Sequence, residues 1–435
     1  MMKTLKIIRT RSIYLLFLLG LLLALGNAAP IFGQDTAPQP TPFPENSAVE
    51  MNAENAAVIA ELRAPETQLI RVNFNPTGTG RCTVDMAAWP EDAKKAVLRA
   101  ADIWSSLLNG SQEIVIDVCW SNDKDLPATG EGLLANCGAS GTYYNFQGAP
   151  LQNTLYVLPL ANQLYGGDLN GASPDMQCRF NANREDWYIP IDGIVPASKI
   201  DLASVALHEV GHGLGFGSLL DWDNGIDDPD DPNDPDDSVD LVECNNVLGT
   251  GCYGTIPLAY ERFVQTSAGT SILSFTNNSK ALGDALIGDA LVFNGPNAKA
   301  ANGGVAPRLF APTPWKAGSS IQHLREDSFP NIATGLMTPF SPYGTAIHHP
   351  GVVALGMLKD MGWEVYDLSR TYVDKNNTGL ENGGVLHPFN TAFEGVNAVP
   401  HSGQVLFFAG NYAENLTISR PMTLESISGT VIIGK

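Results

Sequence analysis

Apolar and polar positions alternate from Leu69 to Phe74, with Ile70, Val72 and Phe74 on one face. The same period recurs at Ile114, Ile116, Val118 and Trp120. Such patterning predicts half-buried strands. Thr154 to Leu158 predicts a third. Pro90 opens a stretch in which Val97, Ala100, Ala101, Trp104 and Leu108 follow helical spacing, with proline suited to the first turn. Another helix is predicted from residue 201. Asp201 can cap it, Leu202, Val205 and Val210 give it apolar contacts, and Gly213 and Gly215 end it. Pro350 to Met361 predicts an apolar helix closed by Gly362-Trp363. This order of elements implies an α+β domain whose sheet lies over one helix.

Beyond Thr371 the pattern changes. Short apolar runs recur at Val405-Leu406-Phe407-Phe408, Leu416-Thr417-Ile418, Met422-Thr423-Leu424 and Val431-Ile432-Ile433, punctuated by Gly, Asn and Pro. The segment 367–435 resembles the first coils of a right-handed parallel β-helix. Stacked coils need several neighbours to bury their faces, so a small β-rich appendage is expected. At the other end, Lys3, Lys6, Arg9 and Arg11 precede the apolar run Ile13 to Leu25 and the small residues Gly26-Asn27-Ala28-Ala29. Residues 1–29 therefore read as a secretory signal, with an uncleaved N-terminal anchor as the alternative. Residues 30–66, rich in Pro, Ala, Gln and Thr, read as a linker or short pro-segment. The main domain is expected over 67–366.

The chain has 435 residues and a formal charge of −21, from 25 basic and 46 acidic residues. That surface repels nucleic acid and anionic lipid and suits a secreted or cell-surface protein. No later stretch could cross a membrane. Six cysteines in an exported chain imply up to three disulfides. Cys244 and Cys252 are close enough to pair, and the other pairings stay open. Cys82 has a second reading, as a thiolate that blocks a metal before activation. The insertion 221–243, including Asp227-Asp228-Pro229-Asp230-Asp231, is expected to be a loop. Its dense oxygen ligands make Ca2+ a candidate ion there. The Gly and Glu spacing of an EF-hand is absent, and a solvated acidic loop is the simpler reading.

The chemistry centres on His208-Glu209-Val210-Gly211-His212, an H-E-x-x-H motif. On a helix, residues four apart share a face, so both imidazoles can grip one metal ion. Glu209 is rotated about 100° from His208, beside the metal, where a general base for a metal-activated water belongs. A catalytic zinc normally has three protein ligands. Six residues past His212, where compact metzincins place a third His, stands Ser218, a poor zinc ligand. His323, His348, His349, Asp221 and Asp223 are the candidates for the third ligand.

His323 ends Gly318-Ser319-Ser320-Ile321-Gln322-His323. Gly335-Leu336-Met337-Thr338-Pro339 follows, and then the helix closed by Gly362-Trp363. In this arrangement the chain resembles the leishmanolysin-like metzincins, over about residues 67–366. Tyr260-Glu261-Arg262-Phe263-Val264 and Val292-Phe293-Asn294-Gly295-Pro296 also look like the inserted region of bacterial members. The resemblance implies a metzincin-like α+β domain in which His323 is the third zinc ligand and Met337 lies in a Met-turn beneath the metal. It implies a secreted zinc endopeptidase acting on a protein or peptide substrate, with Glu209 as general base. Tyr343 is a candidate oxyanion donor. The competing expectation is a catalytically inactive, metzincin-like surface binding or adhesion protein.

Overall fold

The structure, a computed structural model, describes residues 41–42, 47–49, 69–74, 82, 86–124, 126–130, 132–224, 244–245, 247–326, 335–366, 369–379, 381–385, 387–400, 402–418 and 421–434. The signal reading of 1–29 and the calcium reading of the acidic loop lie outside the described residues.

The fold is α+β. Strands β1 (Ile70–Phe74), β2 (Met86–Ala87), β3 (Ile114–Ser121), β4 (Ala135–Ala139) and β5 (Met176–Asn181) form a five-stranded sheet in the order β1-β3-β5-β4, with β2 on β3. The two strands with the clearest alternation lie side by side and parallel, Ile70 opposite Ile114 and Phe74 opposite Val118. β5 continues the sheet parallel to β3, and β4 returns antiparallel, with Cys137 opposite Cys178. β5 carried a readable signal, since Met176, Cys178 and Phe180 are buried and alternate with Gln177 and Arg179. The Ala-Asn-Cys-Gly-Ala of β4 shows no such pattern.

Helix α1 (Glu91–Leu107) starts after Pro90 and buries Val97, Ala100, Ala101, Trp104 and Leu107. It packs on β1 and on the motif helix, which in turn packs on β4 and β5. The sheet is thus covered by two mutually packed helices, where one was expected. The predicted strand at Thr154–Leu158 is also corrected. The extended part runs from Leu155, bridged to Leu258, through Tyr156–Val157, which pairs with Thr142–Tyr143, and α2 (Leu158–Tyr165) begins at once with proline in its first turn. Proline pre-sets helical φ at that position, so the apolar run turns into a helix. The motif helix is α3 (Leu202–Gly213), and α4 (Val352–Met361) follows Gly351 and stops at Gly362, whose φ of 121° only glycine adopts readily.

The C-terminal strands β6 (Arg370–Val373), β7 (Gln404–Phe407) and β9 (Thr423–Ser426) stack in parallel, with Val373, Phe407 and Ser426 aligned. β8 (Gly410–Tyr412) and β10 (Val431–Ile433) form a second parallel pair. Helix α5 (Ala392–Ala398) lies between β6 and β7 in sequence. Val373, Phe389, Val396, Val405, Phe407 and Val431 belong to a hydrophobic cluster of their own, separate from the one that spans Leu69 to Trp363. Within the stretch read as a linker, Ser47–Val49 pairs with β10 and Thr41–Pro42 with Thr417–Ile418.

All six cysteines are paired, as Cys82–Cys119, Cys137–Cys178 and Cys244–Cys252. The thiolate role for Cys82 is therefore set aside. Three disulfides befit a chain that folds in an oxidising environment. Among the described residues no helix is long and apolar enough to cross a membrane. Loop entropy ranks the bridges. Cys137–Cys178 closes 41 residues and Cys244–Cys252 closes 8. Paired Cys→Ser changes are expected to cost about 4 kcal/mol at the first and about 2.5 kcal/mol at the second. Denaturant melts of the two variants measure the difference.

Candidate metal centre

Asp201 caps α3, its Oδ2 accepting from the Ser204 amide at 2.8 Å and the Ser204 hydroxyl at 2.6 Å. The helix is buried on nearly every side. Trp104 of α1 donates from Nε1 to the Leu207 carbonyl at 2.9 Å, and Trp363 donates to the Leu214 carbonyl at 2.8 Å. Both indoles brace the helix at the residues flanking the motif.

His208, His212 and His323 come together although 111 residues separate the last two. Their Nε2 atoms lie 3.0 Å (His208–His212), 3.2 Å (His212–His323) and 3.2 Å (His208–His323) apart. Each Nδ1 is held by a backbone carbonyl, Leu336 at 2.7 Å, Phe216 at 2.6 Å and Ser319 at 2.8 Å respectively. A carbonyl only accepts, so each Nδ1 carries the proton and each Nε2 presents a lone pair. Burial holds all three imidazoles in the neutral form, His212 down to about 3, and for His212 and His323 the neighbouring rings add to the effect. Three facing lone pairs cannot hydrogen-bond to one another. They repel unless a cation sits between them, which is the donor set of a metal site.

The third histidine is fixed by two local features. Ile321, fully buried, has a φ of 68°, a conformation that β-branched residues rarely adopt. Tyr260 donates to its carbonyl at 2.8 Å. The Leu324 amide then donates to the Met337 carbonyl at 2.7 Å, tying the His323 segment to the turn that also supplies the Leu336 carbonyl to His208. Met337 is 1% exposed. A Cβ on Gly211, between the two helix ligands, would meet the Met337 sulfur at 2.8 Å, so the thioether lies directly against the motif helix. Met337→Ala is expected to cost about 2–5 kcal/mol and the near-isosteric Met337→Leu less than about 1.5. Thermal melts with and without added metal check both.

The other candidate ligands are elsewhere. His348 Nε2 lies 2.8 Å from Asp201 Oδ2. His349 accepts from the Gly351 amide. Asp221 is exposed beside the Cys244–Cys252 bridge. Asp223 accepts from the Val247 amide. Ser218 donates to Glu261, a fully buried carboxylate that also takes the Leu219 and Leu258 amides. It thus anchors the chain leaving α3. The hydroxyl of Tyr343 donates to Asp186 at 2.7 Å, which holds the phenol above its usual range. Glu209 follows His208 on α3 and is 7% exposed. The carbonyl partners, Trp104 and Glu261 were not visible as site-builders in the sequence, because only folding brings them to the motif. Comparison with protein families, curated proteins and solved structures gave no match.

Proposed function

We propose that the chain is a secreted zinc endopeptidase of the leishmanolysin-like metzincin type. The observation that carries this is the convergence of His323 on the H-E-x-x-H helix. It supplies the third imidazole that Ser218 could not, and so favours an enzyme over an inert binding protein. The donor set fits zinc. Three nitrogens about 2.0–2.1 Å from a tetrahedral ion stand about 3.3–3.4 Å apart, close to the spacings here. All three donors are neutral imidazoles with their second nitrogen anchored, as in catalytic zinc sites with one open position. The packing of Met337 under Gly211 is what a Met-turn provides.

When bound, zinc supplies Lewis acidity toward a water and a substrate carbonyl. Glu209 orients that water, accepts its proton and then passes the proton to the leaving amine, the work of one carboxylate acting first as base and then as acid. The backbone carbonyls keep the three imidazoles in the tautomer that leaves Nε2 free for the ion. The test is direct. The purified chain should contain about one zinc and release peptides from casein, losing both after chelation and regaining both with added zinc. A chain that takes up zinc and cleaves no protein or peptide would overturn the peptidase reading.

A further inference from the structure

A small recess of about 10 Å³ lies against His208. Buried Ile200, Ser204, Leu336 and Ile347 wall it together with the imidazole, and Phe340, 61% exposed, stands at its rim. A space of that size holds about one water molecule or one methyl group.

The wall formed by residues 340–348 is pinned along its length. Phe340 packs edge-on against Phe310, with ring centroids 6.2 Å apart. The Tyr343 hydroxyl donates to Asp186 at 2.7 Å. The Gly344 amide donates to the Lys199 carbonyl at 2.9 Å, and a Cβ on Gly344 would meet the Ala197 Cα at 2.9 Å. Ile347 is 5% exposed, and its amide donates to the Ser204 hydroxyl at 2.6 Å. That hydroxyl donates in turn to Asp201 Oδ2 at 2.6 Å, and His348 Nε2 lies 2.8 Å from the same oxygen. Asp201 caps α3 and Ser204 lies in its first turn, so the wall is fastened to the helix that carries His208 and His212. It cannot draw back without leaving buried polar groups unpaired. A close-packed wall of this kind resists even one added methylene.

We propose that Ile347 restricts this recess to a small side chain, so that one residue flanking the scissile bond must be glycine, alanine or serine. The inference rests on the zinc endopeptidase reading. A substrate carbonyl polarised at a metal held by His208 brings the neighbouring side chain against that ligand, and the recess lies beside it. A methyl or hydroxymethyl group fits there. The isobutyl group of leucine would have to displace Ile347 or Leu336. Selection therefore works by exclusion, and the size of Ile347 sets the limit.

The test digests a mixed peptide library with the zinc-loaded chain and reads the residues on both sides of each cleaved bond by mass spectrometry. One of the two flanking positions should contain only glycine, alanine and serine. In a peptide taken from that set, leucine in place of alanine at the selected position should lower kcat/KM at least about tenfold. Calorimetry with the same two peptides on the zinc-loaded Glu209→Ala chain, which leaves them intact, should show a difference in Kd of the same sign. Ile347→Ala should admit valine and leucine and bring both ratios within about threefold of unity, since it empties the space they need. Ile347→Val, a smaller deletion, should move the ratios part of the way and carries the test if the alanine variant fails to fold. Large residues accepted on both sides of the bond by the parent chain, or ratios that neither variant changes, would overturn the proposal and leave the peptidase reading intact. A chain that takes up zinc and cleaves no library peptide would overturn both.

Discussion

In Glu209→Gln, the hydrolysis rate is expected to fall by about 10²–10⁴ while zinc remains bound, since an amide neither accepts nor delivers the proton. The substitution is nearly isosteric at a position 7% exposed on a helix packed on most sides, so the fold should persist. The informative measurement pairs zinc content with kcat on one peptide. Loss of rate with the metal retained assigns Glu209 to proton transfer. A rate within a few-fold of the parent chain would require another base. Simultaneous loss of zinc would make Glu209 a support of the ligand helix.

His323→Ala should act on the metal itself. Two imidazoles on α3 remain, spaced 3.0 Å at Nε2, but the third donor is gone and with it the enclosed geometry of the site. Zinc content after dialysis should drop from about one per chain to well below half, and activity should vanish with it. The melting temperature of the metal-free parent and of the metal-free variant should differ little, because removing a ring pressed against two others also relieves lone-pair repulsion. His348→Ala is the matched control: its ring contacts Asp201, so zinc content should be unchanged. Zinc retained in His323→Ala at the parent level would exclude His323 as a ligand.

Both predictions rest on residues whose roles were legible to different degrees. His208, Glu209 and His212 follow from a local rule, helical periodicity, which needs nothing beyond a dozen residues. The cap at Asp201 and the stop at Gly213 and Gly215 are equally local. The same holds for the existence of β1, β3 and α1, although β3, expected to be half-buried, is covered on both faces, with Asp117, Cys119 and Ser121 buried as well. Thr154–Leu158 misled because an apolar run of that length suits either a strand or the first turn of a helix, and Pro159 decided for the helix. β4 was silent because its burial comes from sheet neighbours and a disulfide, with no alternation of its own to betray it.

The amino-acid sequence by itself determined the motif helix, the central strands, the even cysteine count and the short list from which a third ligand had to come. Only the tertiary structure brought His323 from that list to the two motif imidazoles, paired Cys82 with Cys119 and Cys137 with Cys178, and set Met337 against Gly211. It alone supplied the carbonyls of Leu336, Phe216 and Ser319 that fix three tautomers. The division has a physical cause. Periodicity and capping act within one or two turns of chain, whereas a metal cage needs lone pairs from segments 111 residues apart to meet at one point, and that meeting is decided by packing between distant elements.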